Sequence, residues 1–283
     1  MSIKTVGVIG AGLMGNGIAQ VCAQAGLAVT MVDISDAAVQ KGLASITGNL
    51  DRLVKKDKLS VAERDAVLAR ISPTTDYGAL KDADLVIEAA TENPALKFKI
   101  LQQIEGVVGA EALIATNTSS ISITQLAAVL KAPARFIGMH FFNPVPLMAL
   151  VELIRGLQTA DDTHARALAF VQAVGKSPIT VKNAPGFAVN RILCPMLNEA
   201  IFALQEGVAT ADDIDTGMKL GCNHPIGPLA LCDLVGLDTL LAVMNVFYEG
   251  FNDPKYRPAP LLKEMVAAGY YGRKSGRGFY TYG

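Results

Sequence analysis

Two residues at the ends of apolar runs could do acid–base chemistry together. His140 closes the run FIGMH and precedes Phe141-Phe142-Asn143-Pro144. Glu152 stands in ALVELI, an otherwise apolar run. A carboxylate in such surroundings is costly unless it is paired. An imidazole suits it, because a His–carboxylate pair fixes the ring as a general base. Taken singly, a His at a strand end is more often structural, and a Glu in a strand can face solvent at an edge. A third polar group, Asn117-Thr118-Ser119-Ser120, follows the apolar run LIAT. It therefore falls at a strand's C-terminal end, where open α/β sheets bind their ligands.

A second kind of chemistry is written near the N-terminus. Gly10-Ala11-Gly12-Leu13-Met14-Gly15 is G-x-G-x-x-G, preceded by an apolar run and opening a helical stretch. Asp33 ends the next apolar run, 18 residues after Gly15. In that context the pattern is a dinucleotide-binding fingerprint rather than a common tight turn. Gly10 permits the turn, Gly12 lets the backbone approach a pyrophosphate, and Gly15 lets the helix pack on the sheet. The free amides at Leu13 and Met14, at the positive end of the helix, bind the phosphates. Asp33 accepts hydrogen bonds from the adenosine ribose, and its charge repels a 2′-phosphate. The expected cofactor is NAD rather than NADP. In a chain that binds a dinucleotide, His140 and Glu152 together point to catalysis.

Composition narrows the classes further. The formal net charge is −1 and the sequence pI about 6.3, which excludes a generic binder of nucleic acid or anionic membranes. Cys22, Cys194, Cys222 and Cys232 show no C-x-x-C spacing, and only His140, His164 and His224 carry imidazoles, so no metal site is expected. Free thiols in a reducing, cytoplasmic compartment are the expectation, with no leader sequence legible before the first strand. Residues 5–32 carry no charge and are long enough to span a bilayer. They hold six glycines, Asn16, Gln20 and Gln24, so they read instead as strand, turn, helix and strand.

The elements that must position these residues alternate. Strand-like runs fall at 4–9, 28–32, 71–75, 85–88, 113–116, 136–140 and 150–154. Helical stretches fall at 13–25, 36–56 and 61–70, and another begins at Pro94 and carries Lys97 and Ile100. Short continuous apolar runs are the mark of strands covered on both faces. The alternation implies an α/β fold, with a Rossmann-type doubly wound sheet. The pattern changes near Asn183, Pro185 and Gly186. Beyond them the readings are helical: 188–205, 210–220, 228–248 and 260–268. At ~150 residues per domain, 283 residues suit two. We place them at 1–184, an NAD-binding domain, and 185–283, an all-α domain for substrate contact and dimerisation.

Over essentially its whole length the sequence resembles the 3-hydroxyacyl-CoA dehydrogenases, and most closely the bacterial enzymes acting on 3-hydroxybutyryl-CoA. The matching motifs are VIGAGLMGNGIAQ (8–20), EAATEN (88–93), ATNTSS (115–120), GMHFFNPVPLMALVE (138–152), APGFAVNR (184–191), HPIGPL (224–229) and GRKSGRGFY (272–280). The resemblance implies that His140 is the catalytic base and Glu152 orients it. It implies that Ser119 and Asn190 contact the reacting oxygen of the substrate. It extends the NAD contacts to Glu92, Lys97, Asn143 and Lys274; spacing alone would make Glu92 and Lys97 a solvated pair at a helix start.

Arg52, Lys55, Lys56 and Lys58 cluster at a helix C-terminus, where positive charge is favourable on its own account. The resemblance places CoA contacts nearby and makes Asn49, Arg52 and Lys56 the candidates; they share one helix face at i, i+3 and i+7. The implied partners are a CoA thioester and a second copy of the chain. Two other readings stand beside this one. One is a Rossmann dehydrogenase for a free 3-hydroxy acid or a sugar. The other is a nucleotide-binding structural protein, since relatives of the family serve as lens crystallins.

Overall fold

The computed structural model describes residues 3–283. The start at Met1, from which the absence of a leader was read, lies outside the described residues. The chain divides into two compact units, Met1–Ala184 and Pro185–Gly283.

The first unit is built on one eight-stranded sheet in the order β3-β2-β1-β4-β5-β6-β7-β8. Its elements are β1 (Thr5–Ile9), α1 (Leu13–Gln24), β2 (Ala28–Val32), α2 (Asp36–Val54), α3 (Val61–Ala69), β3 (Ile71–Thr74), β4 (Leu85–Glu88), α4 (Pro94–Val107), β5 (Leu113–Thr116), α5 (Ile123–Ala127), β6 (Phe136–Phe141), β7 (Leu150–Arg155), α6 (Asp161–Ala173) and β8 (Ser177–Lys182). Strands β4, β5 and β6 are buried along their whole length, which is why their sequences run apolar without alternation. All neighbouring pairs are parallel except β6–β7.

That single antiparallel pairing decides the site. It sets His140 of β6 directly opposite Glu152 of β7. Facing residues in an antiparallel pair have Cβ atoms about 4.5–5.5 Å apart, within reach of a side-chain hydrogen bond.

Two elements of this unit lie outside the strand and helix runs legible in sequence. β8 (SPITVK) is mostly exposed at the sheet edge, and α6 begins with Asp161 and Asp162. The caps of the helices flanking the cofactor turn are explicit in sequence. Ser35 accepts from the Ala38 amide at the start of α2, and Asn93 accepts from the Leu96 amide at the start of α4, with Pro94 in its first turn.

The second unit is helical: α7 (Val189–Gln205), α8 (Ala211–Gly221), α9 (Pro228–Val235), α10 (Leu237–Phe251) and α11 (Pro260–Ala267). The span 228–248, continuous in hydrophobic pattern, is two helices bent by 96° at Gly236. Gly236 adopts φ +100°, which an L side chain resists. The bend turns Leu229, Cys232, Leu237, Leu240, Met244 and Phe247 into one core. Among the described residues no single helix is long and apolar enough to cross a membrane.

Candidate active site

The loop between β1 and α1 assigns a separate task to each of its three glycines. Gly10 has φ +98°, and a Cβ there would sit 2.7 Å from the Ala89 carbonyl oxygen. A Cβ on Gly15 would sit 1.7 Å from the Gly10 oxygen, so α1 approaches the strand end only because no side chain intervenes. A Cβ on Gly12 would meet nothing within 4 Å. Gly12 and Leu13 are exposed and Met14 is half-buried. The helix start has no side-chain cap and no acidic residue in its first turn. Its first amides therefore have no side-chain acceptor from the helix start itself, as a pyrophosphate site requires.

Asp33, at the end of β2, closes the side of this cradle. Its Oδ2 accepts from the Ala11 amide (2.6 Å) and its Oδ1 from the Ile34 amide (2.7 Å). Each carboxylate oxygen has a further lone pair for a ribose hydroxyl. The residues present fit NAD.

At the far side of β4 and β5, Nδ1 of His140 lies 2.7 Å from Oε2 of Glu152. Glu152 is fully buried and His140 nearly so. The imidazole also packs on Phe142, with ring centroids 4.4 Å apart. Asn117, at the end of β5, accepts from the Phe141 amide through Oδ1 (2.9 Å), tying its turn to the His140 strand.

Ser119 lies in that turn, and Glu92 governs it. One oxygen of Glu92, Oε1, accepts from the Thr118 hydroxyl (2.7 Å), the Ser119 amide (2.9 Å), and the Ser119 and Ser120 hydroxyls (both 3.1 Å).

Lys97 is not part of a solvated helix-start pair. Its side chain has no exposed surface, and its ammonium meets Oε2 of Glu88 at 2.5 Å and Oγ1 of Thr116 at 3.2 Å. Thr116 in turn donates to Glu88 Oε2 (2.6 Å). Glu92 Oε2 is 3.9 Å from the same ammonium. Sequence reasoning did not single out Glu88 or Thr116. Their signal was available, since both are polar residues at the C-terminal ends of buried runs, and they are register partners in the sheet.

Asn143 is exposed beside the β6 end, joined to Pro144 by a cis peptide bond. Asn49, Arg52 and Lys56 come together on α2 and just beyond it. With Gln20, Gln24, Pro146 and Leu147 they line one cleft of about 370 Å³. Arg52 donates to the Asn49 side-chain oxygen, and Asn49 donates to Gln20 (3.1 Å). Asn190 stands in the first turn of α7, in the helical unit. Lys274 is also in that unit, paired with Asp238 at 2.6 Å.

A glycine cradle at the start of a helix, on a doubly wound sheet, is the arrangement of a dinucleotide-binding domain. Comparison with known proteins gives the chain's relatives. Residues 5–184 match the family model described as 3-hydroxyacyl-CoA dehydrogenase, NAD binding domain, and residues 186–282 match that of the C-terminal domain. A 3-hydroxybutyryl-CoA dehydrogenase of Bradyrhizobium diazoefficiens is 52% identical over 280 residues, covering 99% of this chain and 96% of its own. The crystal structure of (S)-3-hydroxybutyryl-CoA dehydrogenase PaaH1 from Ralstonia eutropha is 67% identical with a TM-score of 0.98, over 100% of both chains. That of FadB2 from M. tuberculosis is 45% identical with a TM-score of 0.97, again over 100% of both. The chain belongs to the 3-hydroxyacyl-CoA dehydrogenase family.

Proposed function

We propose that this enzyme interconverts (S)-3-hydroxybutyryl-CoA and acetoacetyl-CoA, with His140 and Glu152 as the acid–base pair. The observation that carries this reading is the 2.7 Å contact between a buried imidazole and a buried carboxylate across β6–β7. Bound NAD supplies the acceptor for the hydride from C3. Nδ1 of His140 is committed to Glu152, so the ring exchanges its proton with the substrate hydroxyl through Nε2. Glu152 holds the ring's orientation and stabilises the imidazolium formed during oxidation. In the reverse direction the same imidazolium is the acid. Ser119 hydrogen-bonds the reacting oxygen as its charge changes. Asn190, a further contact of that oxygen, is carried over by resemblance, as are Glu92, Asn143 and Lys274 at the nucleotide.

The cleft with Asn49, Arg52 and Lys56 supports the choice of a CoA thioester, since its cations suit phosphate groups. Oxidation should proceed with (S)-3-hydroxybutyryl-CoA and not with the (R) isomer. Lys56→Ala should raise KM for the thioester several-fold at unchanged kcat. Oxidation of both isomers at similar rates, or a Lys56→Ala variant of unaltered KM, would contradict these assignments.

We further propose a cytoplasmic homodimer joined through the helical unit, with a place in short-chain acyl metabolism such as butyrate metabolism. Exposed Ile192, Val208, Leu220 and Leu234 on that unit support an interface, and free cysteines support a reducing compartment. Sedimentation should give twice 29.8 kDa. A clean monomer at micromolar concentration would overturn the dimer.

A further inference from the structure

We propose that Glu92 is a positioning residue for the reaction: backed by the buried Lys97–Glu88 pair, its carboxylate sets the hydroxyl of Ser119. The inference rests on the reading above that Ser119 contacts the reacting oxygen.

Four donors converge on Glu92 Oε1, and an ionised carboxylate oxygen offers about two lone pairs. The Thr118 hydroxyl and the Ser119 amide, at 2.7 and 2.9 Å, hold the shorter contacts. The hydroxyls of Ser119 and Ser120 share what is left, each at 3.1 Å. When Ser120 takes the bond, the Ser119 proton turns to the substrate oxygen, and the turn itself stays anchored by the other two. A neutral acceptor would bind this turn less firmly, because hydrogen bonds to an ionised acceptor are roughly twice as strong as neutral ones.

The orientation of Glu92 is itself determined from inside the protein. Lys97 is locked by Glu88 and Thr116, with no exposed surface, so its ammonium is a fixed charge. It lies 3.9 Å from Oε2 of Glu92, which draws that oxygen inward and leaves Oε1 facing the turn. One buried cation thus ties the ends of β4 and β5 to the Ser119 turn. This gives Lys97 a role that needs no contact with the nucleotide.

The test is a double-mutant cycle between Glu92→Ala and Ser119→Ala, with kcat and the NADH dissociation constant measured for each variant. Glu92 is partly exposed, and thermal midpoints control for folding. Glu92→Ala should lower kcat about tenfold in the wild-type background and less than about twofold in Ser119→Ala, the non-additivity of residues that act as one unit. Glu92→Gln keeps an oxygen acceptor for the turn and should stay within about threefold of the wild-type kcat.

An equal loss in both backgrounds would overturn the inference, as would a loss of NADH affinity at unchanged kcat. In either case Ser119→Ala still impairs turnover and the proposed function stands. Near-wild-type turnover of Ser119→Ala would remove both the assignment of Ser119 and this inference.

Discussion

Replacing His140 by Gln should lower turnover by about 10² to 10⁴-fold, the contribution typical of a positioned acid–base group, while NADH binds as before. The choice of Gln isolates the chemistry. Glu152 is fully buried, and a variant that deprived it of a donor would be destabilised as well as inactive. A Gln amide can still donate toward Glu152 but cannot carry a proton. The nucleotide cradle lies on the β1–α1 loop, away from β6 in the sheet order, so its affinity should be untouched. Fluorescence titration with NADH beside steady-state rates in both directions checks all of this. A variant that turns over normally would exclude His140 as the base.

The largest expected effect on stability belongs to Lys97. Lys97→Met should destabilise the protein by about 3 to 5 kcal/mol, because it leaves the carboxylate of Glu88 buried without its cation. Desolvation makes such a pair a weak net stabiliser, yet breaking it is costly. The two statements are separable by experiment. Replacing both partners, Glu88→Leu with Lys97→Met, should recover most of the loss, since an apolar pair of similar volume is often no less stable than the ions. In urea, where m is about 1–3 kcal/mol/M, the single variant should lose roughly 1 M or more from the midpoint of its first unfolding transition. A midpoint equal to that of the wild type would contradict the dependence of Glu88 on this cation.

The parts of the fold that were legible in sequence are those whose physics is local. The apolar runs of β1, β2, β4, β5 and β6 are continuous because both faces of the strands are covered, and G-x-G-x-x-G reads directly as a turn in which Gly10 and Gly15 leave no room for a side chain. β8 was not, because an exposed edge strand carries no continuous apolar run; nor was α6, although its buried Ala167, Phe170 and Val171 stand at helical spacing behind an acidic first turn. The break at Gly236 was hidden because both helices bury leucines, and hydrophobic pattern does not record a 96° bend.

At the site, the suspicion that Glu152 needed a partner came from the cost of its burial, and the antiparallel register supplies the geometry. The burial of Lys97 could not be read from its neighbours in the chain. Its partners Glu88 and Thr116 lie 9 and 19 positions away and meet it only across parallel strands.

The central claim is tested most directly by following NADH oxidation with acetoacetyl-CoA, beside free acetoacetate and with NADPH in place of NADH. Fast turnover with the thioester and NADH alone is the expected result. It follows from the proposed CoA site at Arg52 and Lys56 and from Asp33 as the proposed ribose partner. No turnover in any pairing, with tight NADH binding retained, would contradict it and leave His140 and Glu152 as structural residues of a nucleotide-binding protein.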